Sequence, residues 1–195
     1  MKKFLLIYIV LTILLISDSF SQTYTFNRIS AQYSGKDAWK SWWIDIGSTS
    51  GTMKTVFSGN DAWSEWDINL QINEGTIRTM FAGENAWTYW QFTFNDCTGY
   101  IKTVYTGDNA WKEWEVYDGY STLKVTTLYS GENAWKYWKI YNYNGNINVS
   151  ATYSGENAWT SWSINDYLPG EKTGLKMAAI FICVISGWMQ NLPAK

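Results

Sequence analysis

The chain has 195 residues, and its 15 basic and 17 acidic side chains leave a formal net charge of −2 at pH 7. The sequence contains no cluster of basic residues, so it lacks the charge pattern that is typical of a nucleic-acid-binding protein. The sequence contains no histidine, which removes the commonest general base and metal ligand, and its acidic residues are spread evenly rather than paired. We therefore expect neither enzymatic activity nor a cofactor or metal site.

The first 21 residues follow the pattern of a secretory signal peptide. Lys2 and Lys3 precede an apolar run over residues 4–16, and small residues stand at Ser19 and Ser21. The run is shorter than the about 20 residues that a transmembrane helix needs. We therefore predict cleavage after Ser21. The mature chain is expected to be secreted, periplasmic or on the cell surface, and not to bind a membrane.

Residues 22–170 contain a tryptophan-rich repeat of constant length. Each copy consists of an aromatic residue, a small residue, Gly, any residue, Asp or Asn, Ala, Trp, two further residues and a second Trp. Six copies without insertion or deletion predict a repeat architecture. The glycines that mark the 24-residue period are Gly35, Gly59, Gly83, Gly107, Gly131 and Gly155.

Between the glycine motifs, apolar and polar residues alternate with period 2, which predicts two half-buried strands in each unit. The segment 29–33 matches the second strand of a unit, so the chain is expected to begin there. The fold class is therefore all-β, with six tandem hairpins that form either a closed barrel or toroid, or an open single-sheet or solenoid array. The predicted turns are Ser50-Gly51, Glu74-Gly75, Thr98-Gly99, Asp118-Gly119 and Asn144-Gly145.

The repeat pattern ends at Leu168-Pro169-Gly170, and residues 171–195 form a separate segment that is apolar from Met177 to Met189. We predict a final irregular strand or a cap over the end of the array, which repeat proteins need. Cys97 and Cys183 lie outside the repeated positions, and the sequence leaves open whether they form a disulfide.

The tryptophans fall into two series. The second Trp of each unit is in phase with the apolar strand face, as in Trp42 and Ile44, so this series is assigned to the core. The first Trp of each unit faces away from the core if the strand already includes it, and shares the core face if the preceding loop makes a helical turn; both alternatives remain open. The Asp or Asn of each motif is expected to cap its loop through its own backbone, as such residues do in turns.

These recurrent residues suggest a lectin-like or adhesin-like module that binds a polysaccharide or a cell-surface glycan. Flat aromatic rings can stack on sugar rings while carboxylates and amides bind hydroxyl groups, and six weak sites gain from multivalency. The candidate ligand-binding residues are Trp39, Trp63, Trp87, Trp111, Trp135 and Trp159 together with Asp37, Asp61, Asn85, Asn109, Asn133 and Asn157.

Two alternatives use the same residues differently. In a purely structural or assembly protein, all tryptophans lie in the core, and self-association of the repeated surface is the function. In a small outer-membrane β-barrel, strands of about nine residues would cross the bilayer, although Lys54, Arg78 and Lys102 recur on one strand face.

Overall fold

A closed antiparallel β-barrel surrounds an α-helix in the computed structural model, which describes residues 24–59 and 61–191. The predicted signal peptide, residues 1–21, lies outside the described residues. Within the described part, twelve strands follow one another around the barrel, and the helix α1 (Thr173–Met189) comes after them. The strands are β1 (Phe26–Ala31), β2 (Ser41–Ile46), β3 (Thr49–Thr55), β4 (Glu65–Asn69), β5 (Glu74–Thr79), β6 (Tyr89–Phe94), β7 (Thr98–Thr103), β8 (Glu113–Tyr117), β9 (Thr122–Thr127), β10 (Tyr137–Asn142), β11 (Gly145–Ala151) and β12 (Ser161–Tyr167).

The barrel closes between β1 and β12. Ile29 of β1 is paired with Ile44 of β2 on one side and with Trp162 of β12 on the other. The chain begins on the second strand of a unit, as the register predicted, and β12 supplies the first strand of that hairpin. The all-β prediction is therefore confirmed in its closed-barrel form, and the open array is not formed.

The period-2 alternation places apolar side chains inside the barrel and polar side chains outside. On β4, Trp66 and Ile68 are buried, whereas Asp67 between them is exposed. Asp67 is paired with Lys54 of β3, which is also exposed on the outer face. The wall of the barrel is thus apolar towards its lumen and polar towards its surroundings.

A short 3-10 turn precedes the first strand of every hairpin, and it decides where the first tryptophan points. In the first unit this turn spans Ala38–Lys40, and the equivalent turns are Ala62–Ser64, Ala86–Thr88, Ala110–Lys112, Ala134–Lys136 and Ala158–Thr160. Because the turn is helical, both tryptophans of a unit share the inner face. The motif glycines before the turns have φ values from +86° to +95°, and an added Cβ would meet nothing within 4 Å. Glycine is therefore required at these positions by the backbone conformation and not by a lack of space for a side chain.

The helix α1 fills the lumen of the barrel. A barrel of eight strands is filled by its own side chains, whereas a wider barrel leaves a cavity. Here every residue of α1 from Gly174 to Trp188 is buried. The helix begins beside Phe94 at the hairpin end of the barrel and ends at the 3-10 turns, where Trp188 stacks on Trp39. The prediction of a strand or an end cap for this segment is wrong, because the barrel covers its apolar side chains on all sides.

Two ion pairs hold the beginning of α1 to the hairpin end of the barrel. The Lys176 ammonium group, which is 1% exposed, donates to the carboxylate of Asp166 at 2.6 Å and to the carbonyl oxygen of Tyr24 at 2.8 Å. Lys172, one turn earlier, donates to the carboxylate of Asp118 at 2.9 Å. Since Asp166 belongs to β12 and Tyr24 precedes β1, the buried Lys176 connects the helix to the closing seam of the barrel.

Four of the glycines predicted to form turns lie in strands instead. These glycines come shortly after the true turn, in β3, β5, β7 and β11, and are Gly51, Gly75, Gly99 and Gly145. A Cβ added to Gly51 would lie 2.6 Å from the carbonyl oxygen of Asn69 on the next strand. These glycines therefore allow close approach of neighbouring strands, and Gly119 is the one of this group in a loop with positive φ.

Cys97 and Cys183 are both free and buried. Burial raises the pKa of the Cys97 thiol, and the carboxylate of Asp96 raises it further. Burial within the barrel also raises the pKa of the Cys183 thiol well above its ordinary value. The two thiols thus behave as small apolar groups of the interior.

Candidate functional site

The candidate site is built on the tryptophans at the 3-10 turn end of the barrel. Within each unit, Nε1 of the second tryptophan donates to the carbonyl oxygen of the first, as from Trp90 to Trp87 at 2.6 Å. Because the second tryptophan is in a strand and the first in the turn, this hydrogen bond holds the turn against the barrel wall. The same bond recurs in all six units, at 2.6–2.7 Å.

Tryptophans of successive units also contact each other. The first Trp of one unit meets the second Trp of the next unit edge to face, as in Trp87 and Trp114 with ring centroids 5.9 Å apart. Such edge-to-face pairs stabilise a core beyond the area that they bury. The first series therefore joins neighbouring units, in addition to any contact with a ligand.

These contacts determine how much of the first series is accessible. Trp39, Trp135 and Trp159 are only 8%, 5% and 8% exposed, respectively, whereas Trp63 and Trp87 are partly buried. Trp111 is partly buried as well. Stacking on a ligand needs an accessible ring face, so the three buried rings do not fit the binding role that the sequence predicted for them.

Basic side chains cover some of the first-series rings. The Lys112 ammonium group lies 5.4 Å from the centroid of the Trp111 ring, and Lys40 and Lys136 occupy the same position in their units. In the third unit this position is Thr88, whose hydroxyl group donates to the carbonyl oxygen of Asn85 at 2.7 Å. Trp87, next to this threonine, is partly exposed.

The side chains of the motif Asp and Asn residues take no part in capping the 3-10 turns. None of the six 3-10 turns has a side-chain cap from its Asp or Asn. The backbone carbonyl accepts instead, as when the amide of Lys112 donates to Asn109 at 3.1 Å. The carboxylate of Asp37 forms an ion pair with Lys40 at 2.7 Å, and this hydrogen bond lowers the pKa of Asp37. All six side chains are exposed: Asp37, Asp61, Asn85, Asn109, Asn133 and Asn157.

A ring of exposed aromatic side chains surrounds this end of the barrel, and sequence reasoning missed it. Phe57 is in phase with Met53 in the sequence, but β3 ends at Thr55 and Phe57 is exposed. The positive-φ Gly59 follows two residues later, in the connection between β3 and the next 3-10 turn. We call this ring the aromatic rim; its members, 53–68% exposed, are Tyr33, Phe57, Phe81, Tyr105, Tyr129 and Tyr153.

A cleft between the third and fourth units combines the rim with predicted site residues. Its volume is about 410 Å³, and its lining includes Asn85 and Trp87 of one unit and Tyr105 and Asp108 of the next. An exposed phenol ring, a partly exposed indole, an amide and a carboxylate therefore meet in one depression. The threonine hydroxyl of Thr106 is also part of the lining.

No protein-family model, curated protein or solved structure matches the chain. Among the residues that the structure describes, no helix is long and apolar enough to cross a bilayer. The same residues include no group of three or more Cys, Asp or Glu side chains arranged to hold a metal ion.

Proposed function

We propose that this protein is a non-catalytic glycan-binding module that uses the clefts between neighbouring units at the aromatic rim. The observation that carries the proposal is the cleft in which Asn85, Trp87, Tyr105 and Asp108 meet. It is concave, lined by aromatic side chains and supplied with a few polar groups, as small-molecule binding sites generally are.

The chemistry of the cleft suits a sugar ring. Tyr105, 58% exposed, offers a flat face for the apolar C–H side of a pyranose. The carboxylate of Asp108 accepts hydrogen bonds from hydroxyl groups, and the amide of Asn85 both donates and accepts. Since Asn85 makes no side-chain cap, its amide is not committed to holding the 3-10 turn.

Repetition increases the strength of such binding. The residue types of the cleft recur around the rim, so a branched or multivalent glycan could contact several units at once. After one contact has formed, the next is intramolecular, and weak sites together give useful avidity. A polysaccharide or a cell-surface glycan meets this condition, and it would be accessible to a protein exported by the signal peptide that we predict.

The charges of the rim narrow the choice of ligand. Exposed acidic side chains follow the motif glycines in the third to sixth units, at Glu84, Asp108, Glu132 and Glu156. Carboxylates repel the uronic acids and sulfates of acidic polysaccharides and accept hydrogen bonds from hydroxyl and amino groups. We therefore expect preference for neutral or amino-sugar glycans over acidic ones.

The test is binding of the mature protein to an array of neutral, amino-sugar and acidic glycans, followed by calorimetry on the best ligand. Tyr105→Ala should weaken binding about tenfold, the change that 1.4 kcal/mol produces. Tyr143→Ala is the matched control, because Tyr143 is 94% exposed in a hairpin turn at the opposite end of the barrel. Binding to none of the glycans, or equal loss in both variants, would overturn the proposal.

Assembly is a second candidate function, and one observation favours it. Apolar side chains precede the rim aromatics in four units and are 41–46% exposed, namely Val56, Met80, Val104 and Leu128. A row of this kind next to exposed aromatic rings resembles the apolar patches at which proteins associate. Sedimentation velocity over a hundredfold concentration range tests it: concentration-dependent assembly that Met80→Lys abolishes would support this function over glycan binding.

The outer face of the barrel weighs against the membrane alternative. A bilayer-spanning barrel presents an apolar band to the lipid. Here Arg78 is exposed on β5, and the Lys102–Glu115 ion pair crosses the outer face between β7 and β8, with 3.0 Å between nitrogen and oxygen. Charged groups in the middle of the wall are costly in hydrocarbon.

A further inference from the structure

The barrel carries a line of aromatic rings on its outer wall that does not follow the repeat. The line begins at Phe81 of the aromatic rim and continues through Tyr89 on β6 and Tyr100 on β7 to Tyr117 on β8. Successive ring centroids are 5.7, 5.7 and 5.4 Å apart. We call these four residues the aromatic strip; the three tyrosines are partly exposed. The strip crosses three neighbouring strands, from the rim to the hairpin end.

The repeat itself shows that the barrel does not need the strip. At the position of Tyr100, other units carry Thr52, Thr76, Lys124 and Asn148, and their strands pair in the same way. Aromatic pairs between strands do stabilise sheets. However, the equivalent strands form without them, so sheet stability alone gives no reason for a continuous line in one place.

The neighbouring fifth unit makes the comparison sharper. It also has two outward tyrosines, Tyr137 and Tyr141, at the positions of Tyr89 and Tyr117 of the strip. Both tyrosines lie on β10, and the positions equivalent to Tyr100 and Tyr117 on the next two strands are Asn148 and Asn165, so no continuous line of rings results. Among the described residues, only the third and fourth units carry aromatic residues at every position that a continuous line requires.

The strip is also held in place. The hydroxyl group of Tyr100 donates to the carboxylate of Glu115 at 3.0 Å, and the hydroxyl group of Tyr117 donates to the carbonyl oxygen of Gly119 at 2.8 Å. Lys102 lies 5.0 Å from the centroid of the Tyr100 ring and forms an ion pair with Glu115. Rings fixed in this way lose little conformational entropy when they bind a ligand.

We propose that the aromatic strip binds an extended glycan chain that continues from the cleft at the rim along the outer wall. The inference rests on the proposed function for the chemical class of its ligand, and it adds that the ligand is a linear chain of several sugars. The ring spacing is similar to the length of one hexose unit in such a chain. Lys102 and Glu115 flank the rings with a donor and an acceptor for hydroxyl groups. Backbone groups of β6, β7 and β8 are already paired, so the strip offers no edge to an added peptide strand.

The experiment uses substitutions that the repeat already contains. The triple variant Tyr89→Ser, Tyr100→Thr, Tyr117→Asn introduces residues found at the same positions of other units, and thermal unfolding verifies that it folds. The matched control is Tyr137→Ser with Tyr141→Asn in the fifth unit. Calorimetry measures binding of hexasaccharides and disaccharides of chitin and of β-1,4-linked glucan, xylan and mannan.

We expect the triple variant to bind the hexasaccharide at least tenfold more weakly than the wild type and the disaccharide equally well. The control variant should bind both as the wild type does, and Tyr105→Ala should lose affinity for both. If the triple variant keeps full affinity for the hexasaccharide while Tyr105→Ala loses it, the strip proposal is wrong and the proposed function stands. If the wild-type protein binds none of these glycans or those of the array, both proposals fail.

Discussion

Trp159 of the last unit meets Trp42 of the first unit edge to face, with 6.1 Å between their ring centroids. This contact repeats the arrangement found between all other successive units, so the tryptophan ring continues across the seam where the strands of the chain's two ends meet. The seam is therefore closed twice, by the pairing of β1 with β12 and by the indole contact. The wall has no sheet edge at which another chain could add a strand.

The hydrogen bond within each tryptophan pair should contribute measurably to stability. Trp42→Phe keeps a buried aromatic ring but removes the Nε1 donor that lies 2.6 Å from the carbonyl oxygen of Trp39. A buried acceptor that loses its partner costs about 1–3 kcal/mol. Because the smaller phenyl ring also leaves a cavity, we expect a fall of at least that size in the free energy of unfolding, measured in urea. Trp43→Phe is the control, because Trp43 is 50% exposed and should change stability by less than about 0.5 kcal/mol. Equal losses in the two variants would contradict the assignment.

Substitutions of Lys176 and Asp166, which form a buried ion pair, should have strongly coupled effects on the free energy of unfolding. Lys176→Met leaves a carboxylate that is 2% exposed without its counter-charge, and a broken buried pair costs about 3–5 kcal/mol. Asp166→Asn removes the charge and keeps one side-chain oxygen acceptor, whereas in the native protein the backbone amides of Phe26 and Leu168 donate to the two different carboxylate oxygens. In a double-mutant cycle, the double variant should be more stable than the sum of the single losses predicts. Simple additivity would show that the pair does not hold α1 to the seam.

Acid should weaken the attachment of α1 through Asp118. Burial alone would raise the pKa of Asp118, but the amides of Ser121 and Tyr120 and the Lys172 ammonium group outweigh burial and hold the pKa below its usual value. A carboxyl group of this kind stabilises the fold fully above its unfolded pKa, near 3.8, and the stabilisation disappears as the pH falls through the folded pKa. We therefore expect Asp118→Asn to lower the urea midpoint more at about pH 6 than at about pH 2. The same difference at both pH values would refute this explanation.

The two cysteines should remain free and unreactive in the native protein. The thiolate is the reactive form, and burial raises the pKa of both Cys97 and Cys183. We expect slow reaction with Ellman's reagent at about pH 8 in buffer and rapid release of two equivalents per chain in urea, without reductant. Fast native reaction of one equivalent would indicate that the turn around Cys97 opens. Reaction only after reduction would reveal a disulfide.

The sequence predicted the strands and the core tryptophans because a period of two residues relates directly to the two faces of a sheet. The position of Trp42 followed from its phase with Ile44. By contrast, the same phase gives no information about Phe57, because the alternation continues beyond the end of β3 at Thr55. The role of Trp39 depended on a 3-10 turn of three residues, which is too short to show a period. The secondary structure of the apolar segment from Met177 to Met189 could not be predicted either. A helix that is buried on every side has no polar face, so its sequence lacks the periodicity of a surface helix.

The position of α1 after β12 has a kinetic consequence. The residues that line the lumen stay exposed to water until the helix is available, and β1 finds its second partner only when β12 has been made. Native contacts at such large sequence separation slow folding and prolong the exposure of aggregation-prone intermediates. The barrel is therefore completed only after β12 and α1 have been made.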